Sequence, residues 1–217
     1  MELNVFVYIL LMFCIPYLLY SNIRIKPRKG FSILFISIIS TVILLNFSPT
    51  TLLGTFFLLI TLVIKKEKLH AYFYVISFLL LSYEIFNISN LNIFEFLIDY
   101  LFPISLVSGV FSSMMIGHWF LVDPTISKEG MKKIALLSTV QSLILTPLVF
   151  FEFVGQDIEG IFKNVILVLY VSTSILSFGS YRSLGEKSYT GVMASTGLSY
   201  LSLIVSLGAS GGLLLLS

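Results

Sequence analysis

The sequence predicts an all-α integral membrane protein, a bundle of about eight transmembrane helices with both termini extracytoplasmic. Three observations carry that prediction. The 217 residues are 57% hydrophobic and only 11% charged, with a mean hydropathy of +1.02, whereas a soluble domain carries about 25% charge. The charges gather in short clusters between apolar runs, most of which approach or exceed the ~20 residues that cross a ~30 Å hydrocarbon core. Basic residues are present in every second connection between the runs and missing from the others. The alternating pattern of an outer-membrane barrel is absent. The chain, residues 1–217, reads as a single polytopic domain.

The apolar runs fall at about 3–21, 31–47, 52–64, 70–88, 93–122, 131–154, 161–181 and 190–216. The first follows Met-Glu-Leu-Asn, with no basic leader and no small-x-small cleavage site, so it is expected to be a retained helix. It holds the lone Cys14, which excludes a disulfide framework and a CxxC redox pair. Only "SPTT" separates the second and third runs, and the third is short. A seven-span count, with those two merged into a re-entrant hairpin, is the competing reading around residues 47–51. The fourth run opens on His70 and carries Glu84. The fifth carries Asp99 and ends in "GHWFLVDP". The sixth carries Glu152, and the seventh opens with Lys163, four residues after Glu159 and so spaced to pair with it. Pro16, Pro103 and Pro147 fall inside spans, where each frees a carbonyl one turn back.

Charge placement orients the bundle. Arg24, Lys26, Arg28 and Lys29 follow the first span, and Lys65, Lys66 and Lys68 the third. Lys128, Lys132 and Lys133 follow the fifth, and Arg182 and Lys187 the seventh, which accounts for 12 of the 13 Lys and Arg. The connections "SPTT", "NISNLN" and "GQDIEG" have none. Basic residues are retained in the cytoplasm, so the four basic loops are expected inside, in a bacterial-type cytoplasmic membrane. Acidic residues lean to the opposite side, with Glu2, Glu84, Glu95, Asp99, Glu152, Asp157 and Glu159 against Glu67, Asp123, Glu129 and Glu186. Spans one to four and five to eight share an orientation, which permits a parallel four-plus-four repeat. A net charge of +2 held in short interhelical clusters excludes a nucleic-acid partner. The expected partners are the lipid bilayer and protein subunits of a membrane complex.

Several constellations are candidates for function. In the last span Gly191, Ser195, Ser199, Ser202, Ser206 and Ala209 recur every three or four residues, with Gly208 and Gly212 as a GxxxG beside them. Gly109, Ser113 and Gly117 make a similar flat face on the fifth span. Small residues let helices approach closely in lipid, so both stripes are expected to pack against other helices. His118 sits about one turn before Asp123-Pro124, beside the only Trp, at the expected cytoplasmic border. It reads as a border residue, as a proton-handling group, or as a ligand of haem b or quinone together with His70, the only other histidine. Glu84, Asp99 and Glu152 are acids close to apolar sequence, and with His118 they are candidates for a substrate or ion pathway. No GxSxG, HExxH or Walker-type motif is present, and two His with one Cys supply no metal site. The expected function is non-catalytic, either transport of a small solute or ion, or service as an integral subunit of a larger membrane complex. The alternative is a redox subunit carrying haem b or quinone through His118 and His70.

Overall fold

The computed structural model describes residues 4, 6–12, 14–15, 29–64, 67–89, 91–156 and 158–216. Arg24, Lys26, Arg28, Lys65, Lys66, Pro16, Glu2 and Asp157 lie outside them, as do the ends of the first span. Among the described residues every regular element is helical and none is a strand. The described residues from 6 to 15 are helical. They are followed by α1 (Lys29–Leu45), α2 (Pro49–Val63) and α3 (Glu67–Ser89). Then come α4 (Ile93–Val122), α5 (Glu129–Phe150), α6 (Gly160–Ser183) and α7 (Tyr189–Leu216). Five stretches are long and apolar enough to cross a membrane: Leu69–Ser89 of α3, and α4 to α7 whole. Gly30–Leu45 and Pro49–Val63 are shorter apolar helices.

The "SPTT" punctuation divides α1 from α2. Ser48 has extended backbone and its hydroxyl accepts from the Thr51 amide at 3.1 Å, while Pro49 opens the helix where a missing N–H costs nothing. The fifth apolar run folds as one 30-residue helix, Ile93–Val122, with an irregularity that hydropathy does not reveal. Phe96–Leu101 is π-helical, and the Phe102 amide donates to the Leu97 carbonyl five residues back. Pro103, next in the chain, has no N–H and crowds the carbonyl four residues behind it, which favours the wider turn there.

The sixth span was expected to run to residue 154, but α5 stops at Phe150. A C-terminal motif ends it. The Phe153 amide donates to the Leu148 carbonyl at 2.9 Å and the Glu152 amide to the Val149 carbonyl at 3.2 Å, with Glu152 at φ 60°. That is the paired bonding of a Schellman stop. The turn throws Glu152 back across the next helix, so Lys163 pairs with Glu152 at 2.6 Å rather than with Glu159.

α4 to α7 form the main bundle, in which α6 packs between α5 and α7, and α4 lies against α5 and α7. The first helical segment packs on the other side of α4, where the Ser108 and Ser112 hydroxyls donate to the Leu10 and Cys14 carbonyls at 3.0 and 3.3 Å. α2 and α3 form a separate antiparallel pair, tied by the Ser77 hydroxyl donating to the Gly54 carbonyl at 2.8 Å. Two apolar cores result: one joins the first segment, α1 and α3 to α4, and the other fills α4 to α7.

The connections sort into two ends. At one, the Lys128 ammonium donates to the Glu186 and Ser188 carbonyls at 3.2 Å, and Trp119 meets Phe31 at the start of α1. This is the basic end. At the other, the Tyr8 hydroxyl lies 3.1 Å from the Thr51 hydroxyl, Asn46 donates to Glu84 at 3.0 Å, and Gly155 nests against Leu213.

Candidate functional site

A groove of about 940 Å³ lies on the flank of the bundle. Its walls are α3 (Tyr74, Phe78), the π-helical half of α4, and α5 from Lys133 to Leu148. α3 meets α4 at the far end, where the Phe86 and Phe96 rings stand 5.5 Å apart. Below that contact α3 and α5 stand on either side of α4 with the groove between them. The lining is apolar, and Leu97, Leu136, Leu137, Val140 and Ile144 are all exposed along it. The fifteen steps from Lys133 to Leu148 at ~1.5 Å rise give a length of about 22 Å. That is most of the ~30 Å hydrocarbon thickness, and the volume lies at the upper end of ordinary ligand sites.

Two polar features interrupt this lining. Near mid-length the Gln141 amide donates to the Ser105 hydroxyl at 2.9 Å, joining α5 to α4. At the basic end Lys133 lies half-exposed, 2.9 Å from Glu129 one turn earlier. Beyond the other end, a second cavity of about 290 Å³ is lined by Leu91, Glu95, Asp99, Tyr100, Phe153, Gly155 and Gln156. The two share this stretch of α4: Leu97, Ile98 and Leu101 line the groove, and Glu95 and Asp99 the acidic cavity.

The bundle interior is lined with hydroxyls. Ser177 and Ser202 lie 2.9 Å apart, Ser180 and Ser195 2.7 Å, and Ser113 and Ser199 3.4 Å. Ser210 meets the Tyr170 hydroxyl at 3.2 Å and donates to the Pro103 carbonyl at 3.1 Å. Ser206 is fully buried on the same face. Among the described residues a void of about 10 Å³ lies between these serines.

The sequence-derived candidates take separate places. Glu84 accepts from Asn46 between the first segment, α2 and α3. Asp99 faces the acidic cavity, and exposed Glu152 holds Lys163, so the three acids do not converge. The Lys163 ammonium, by hydrogen bond and charge, holds the Glu152 carboxyl below the usual range. His118 is exposed on α4, whereas Trp119 turns inward onto Phe31 at 5.9 Å, its indole N–H buried with no acceptor among the described residues. His70 is held by its Nε2 against the Ile64 carbonyl at the end of α2. Gly117 approaches so closely to Thr196 that no side chain fits, while Gly208 and Gly212 lie in ordinary contact distance of Leu169 and Ile166. Gly109 is buried. Among the described residues no group of three His, Cys, Asp or Glu gathers as a metal site.

Lys133, Tyr74, Ser105 and Gln141 were not singled out from the sequence. The available signal was Gln141, the only Gln within an apolar run. Comparison with known proteins found no match to a family model, to a curated protein or to a solved structure.

Proposed function

We propose that this chain is a multi-pass protein of a bacterial-type cytoplasmic membrane that binds an apolar ligand drawn sideways from the bilayer, as a transporter or as an integral subunit of a membrane complex. The observation that carries this reading is the lateral groove, about 940 Å³ and open along much of the membrane thickness, beside a bundle whose described serines enclose a void of about 10 Å³. An apolar ligand dissolved in lipid reaches such a site without crossing water.

The eight-span arrangement with both termini outside belongs to this proposal. Its support is the sorting of contacts into a basic end, with Lys128 against the 184–188 turn, and an opposite end where Tyr8, Asn46, Glu84 and Gln156 lie. α1 and α2 are then a tight pair of short spans. The haem b or quinone reading through His118 and His70 gains no support, because one ring faces outward and the other is committed to a carbonyl.

Gentle purification followed by native mass spectrometry tests the reading. A retained apolar adduct on the wild type, lost in Leu137→Trp, is expected, since Leu137 is 47% exposed in the groove wall and a larger ring there fills the space. Equal adducts on both proteins would contradict it. A Soret band lost in His118→Ala would establish the redox reading instead.

A further inference from the structure

The groove is not uniform from end to end, and its asymmetry bears on what occupies it. Among the described residues Lys133 is the only charged one in its lining, and it stands at the basic end, four residues or about 6 Å into α5. Lysine offers three N–H donors. Glu129 engages one of them at 2.9 Å, so donors remain for a second acceptor. The described charges beside it in α5 are Lys132, which lies over the Tyr181 ring at 5.2 Å, and Glu129 itself. His70 stands one turn before Tyr74 on α3, with its Nε2 already bonded. The mouth therefore carries a cation at the depth where lipid headgroups lie, on the side where basic residues collect.

Length is the second constraint. Half of a ~30 Å hydrocarbon core is about 15 Å, and a chain anchored at one surface by an ordinary phospholipid head ends near there. The groove runs about 22 Å from Lys133, past the Gln141–Ser105 bond, to Leu148. An occupant anchored at Lys133 and filling the groove must cross the midplane.

We propose that the groove seats a lipid with a phosphate headgroup on Lys133 and one apolar chain longer than a leaflet, of the polyprenyl phosphate type. This rests on the reading of the groove as the binding site and adds the headgroup and the chain. The chain lies along exposed Leu137, Val140 and Ile144, and the phosphate accepts from the Lys133 ammonium beside Glu129.

Saturable binding of a radiolabelled long-chain polyprenyl phosphate to the full-length protein in neutral-lipid nanodiscs tests this. The competitors are the uncharged polyprenol of the same length and phosphatidylglycerol. The phosphate is expected to bind at least roughly tenfold tighter than either, the effect of one charge-assisted hydrogen bond. Lys133→Gln should reduce it to the level of the polyprenol, Lys133→Arg should preserve it, and Leu137→Trp should remove binding of both isoprenoids. Thermal unfolding checks that each variant is folded. Polyprenol binding as tightly as the phosphate, or an unchanged Lys133→Gln, overturns the headgroup assignment and leaves the groove reading standing. Phosphatidylglycerol competing equally overturns the chain length. No saturable binding of any of the three, with Leu137→Trp equal to wild type, overturns the groove reading as well.

Discussion

Glu152 occupies a backbone position that glycine ordinarily takes. Its φ of 60° closes the Schellman turn after α5, and a side chain there costs on the order of 1 kcal/mol. What the glutamate supplies in return is the 2.6 Å contact to Lys163, which fastens the turn to the first turn of α6. Glu152→Gln removes the charge and keeps the strain, whereas Glu152→Gly removes both. Thermal unfolding in detergent should therefore rank Glu152→Gln below Glu152→Gly. The pH dependence has a definite sign. The folded carboxyl titrates below the ordinary glutamate value because of Lys163, so its contribution is present above that ordinary value and is lost as pH falls through the folded one. The difference between wild type and Glu152→Gln should be visible at neutral pH and vanish in acid. Ser202 tests packing at the same scale. It is fully buried 2.9 Å from Ser177, so Ser202→Leu must wedge α6 from α7 at a cost of about 1–3 kcal/mol. Ile204, 68% exposed on the same helix, should tolerate Ala with little change in unfolding temperature. Helical periodicity alone places the serines of α7 on one face, which is why that stripe is legible in the sequence. Periodicity does not say which of two neighbours turns inward, and at His118 and Trp119 it is the tryptophan that packs against α1.

Apolar runs and their punctuation make most elements legible, and the departures have local causes. α1 and α2 separate at Ser48-Pro49 because the serine caps and the proline starts a helix, both readable as a motif. The π turn at Phe96–Leu101 was not readable, since it changes the hydrogen-bond register without altering hydropathy. Around it Glu95 and Asp99 line one cavity beside α4 and Leu97 and Leu101 the other. The early stop of α5 was hidden because Phe151 and Phe153 continue the apolar run while the backbone turns. Topology is the prediction that belongs here. In a Cys14→Ser background, cysteines at positions 28, 66, 128 and 187 should react with an impermeant reagent from the cytoplasmic side only. Cysteines at 48 and 156 should react from the outside only. Labelling of position 156 from the cytoplasmic side would contradict the eight-span arrangement.

At the scale of the whole molecule, the groove arises because α3 belongs to the α2 pair while α5 belongs to the main bundle, and α4 serves both. No single helix encodes it. Each contributes an apolar face that in sequence resembles any lipid-facing surface, which is why the helices could be read along the chain and their shared site could not. Only Gln141, polar in mid-span, marked the place, and its meaning depends on Ser105 from another helix. The arrangement makes the groove differ from the rest of the perimeter. On the proposed reading, a lipid lodged there should exchange more slowly than one against exposed Ile175 or Ile204. The most direct measurement is photocrosslinking in native membranes with lipids that carry a diazirine in the chain, followed by peptide mapping. The predicted result is label concentrated on residues 97–105 and 133–148, and lost from both segments in Leu137→Trp. Label spread evenly over those segments and the outward faces of α6 and α7 would contradict a binding groove.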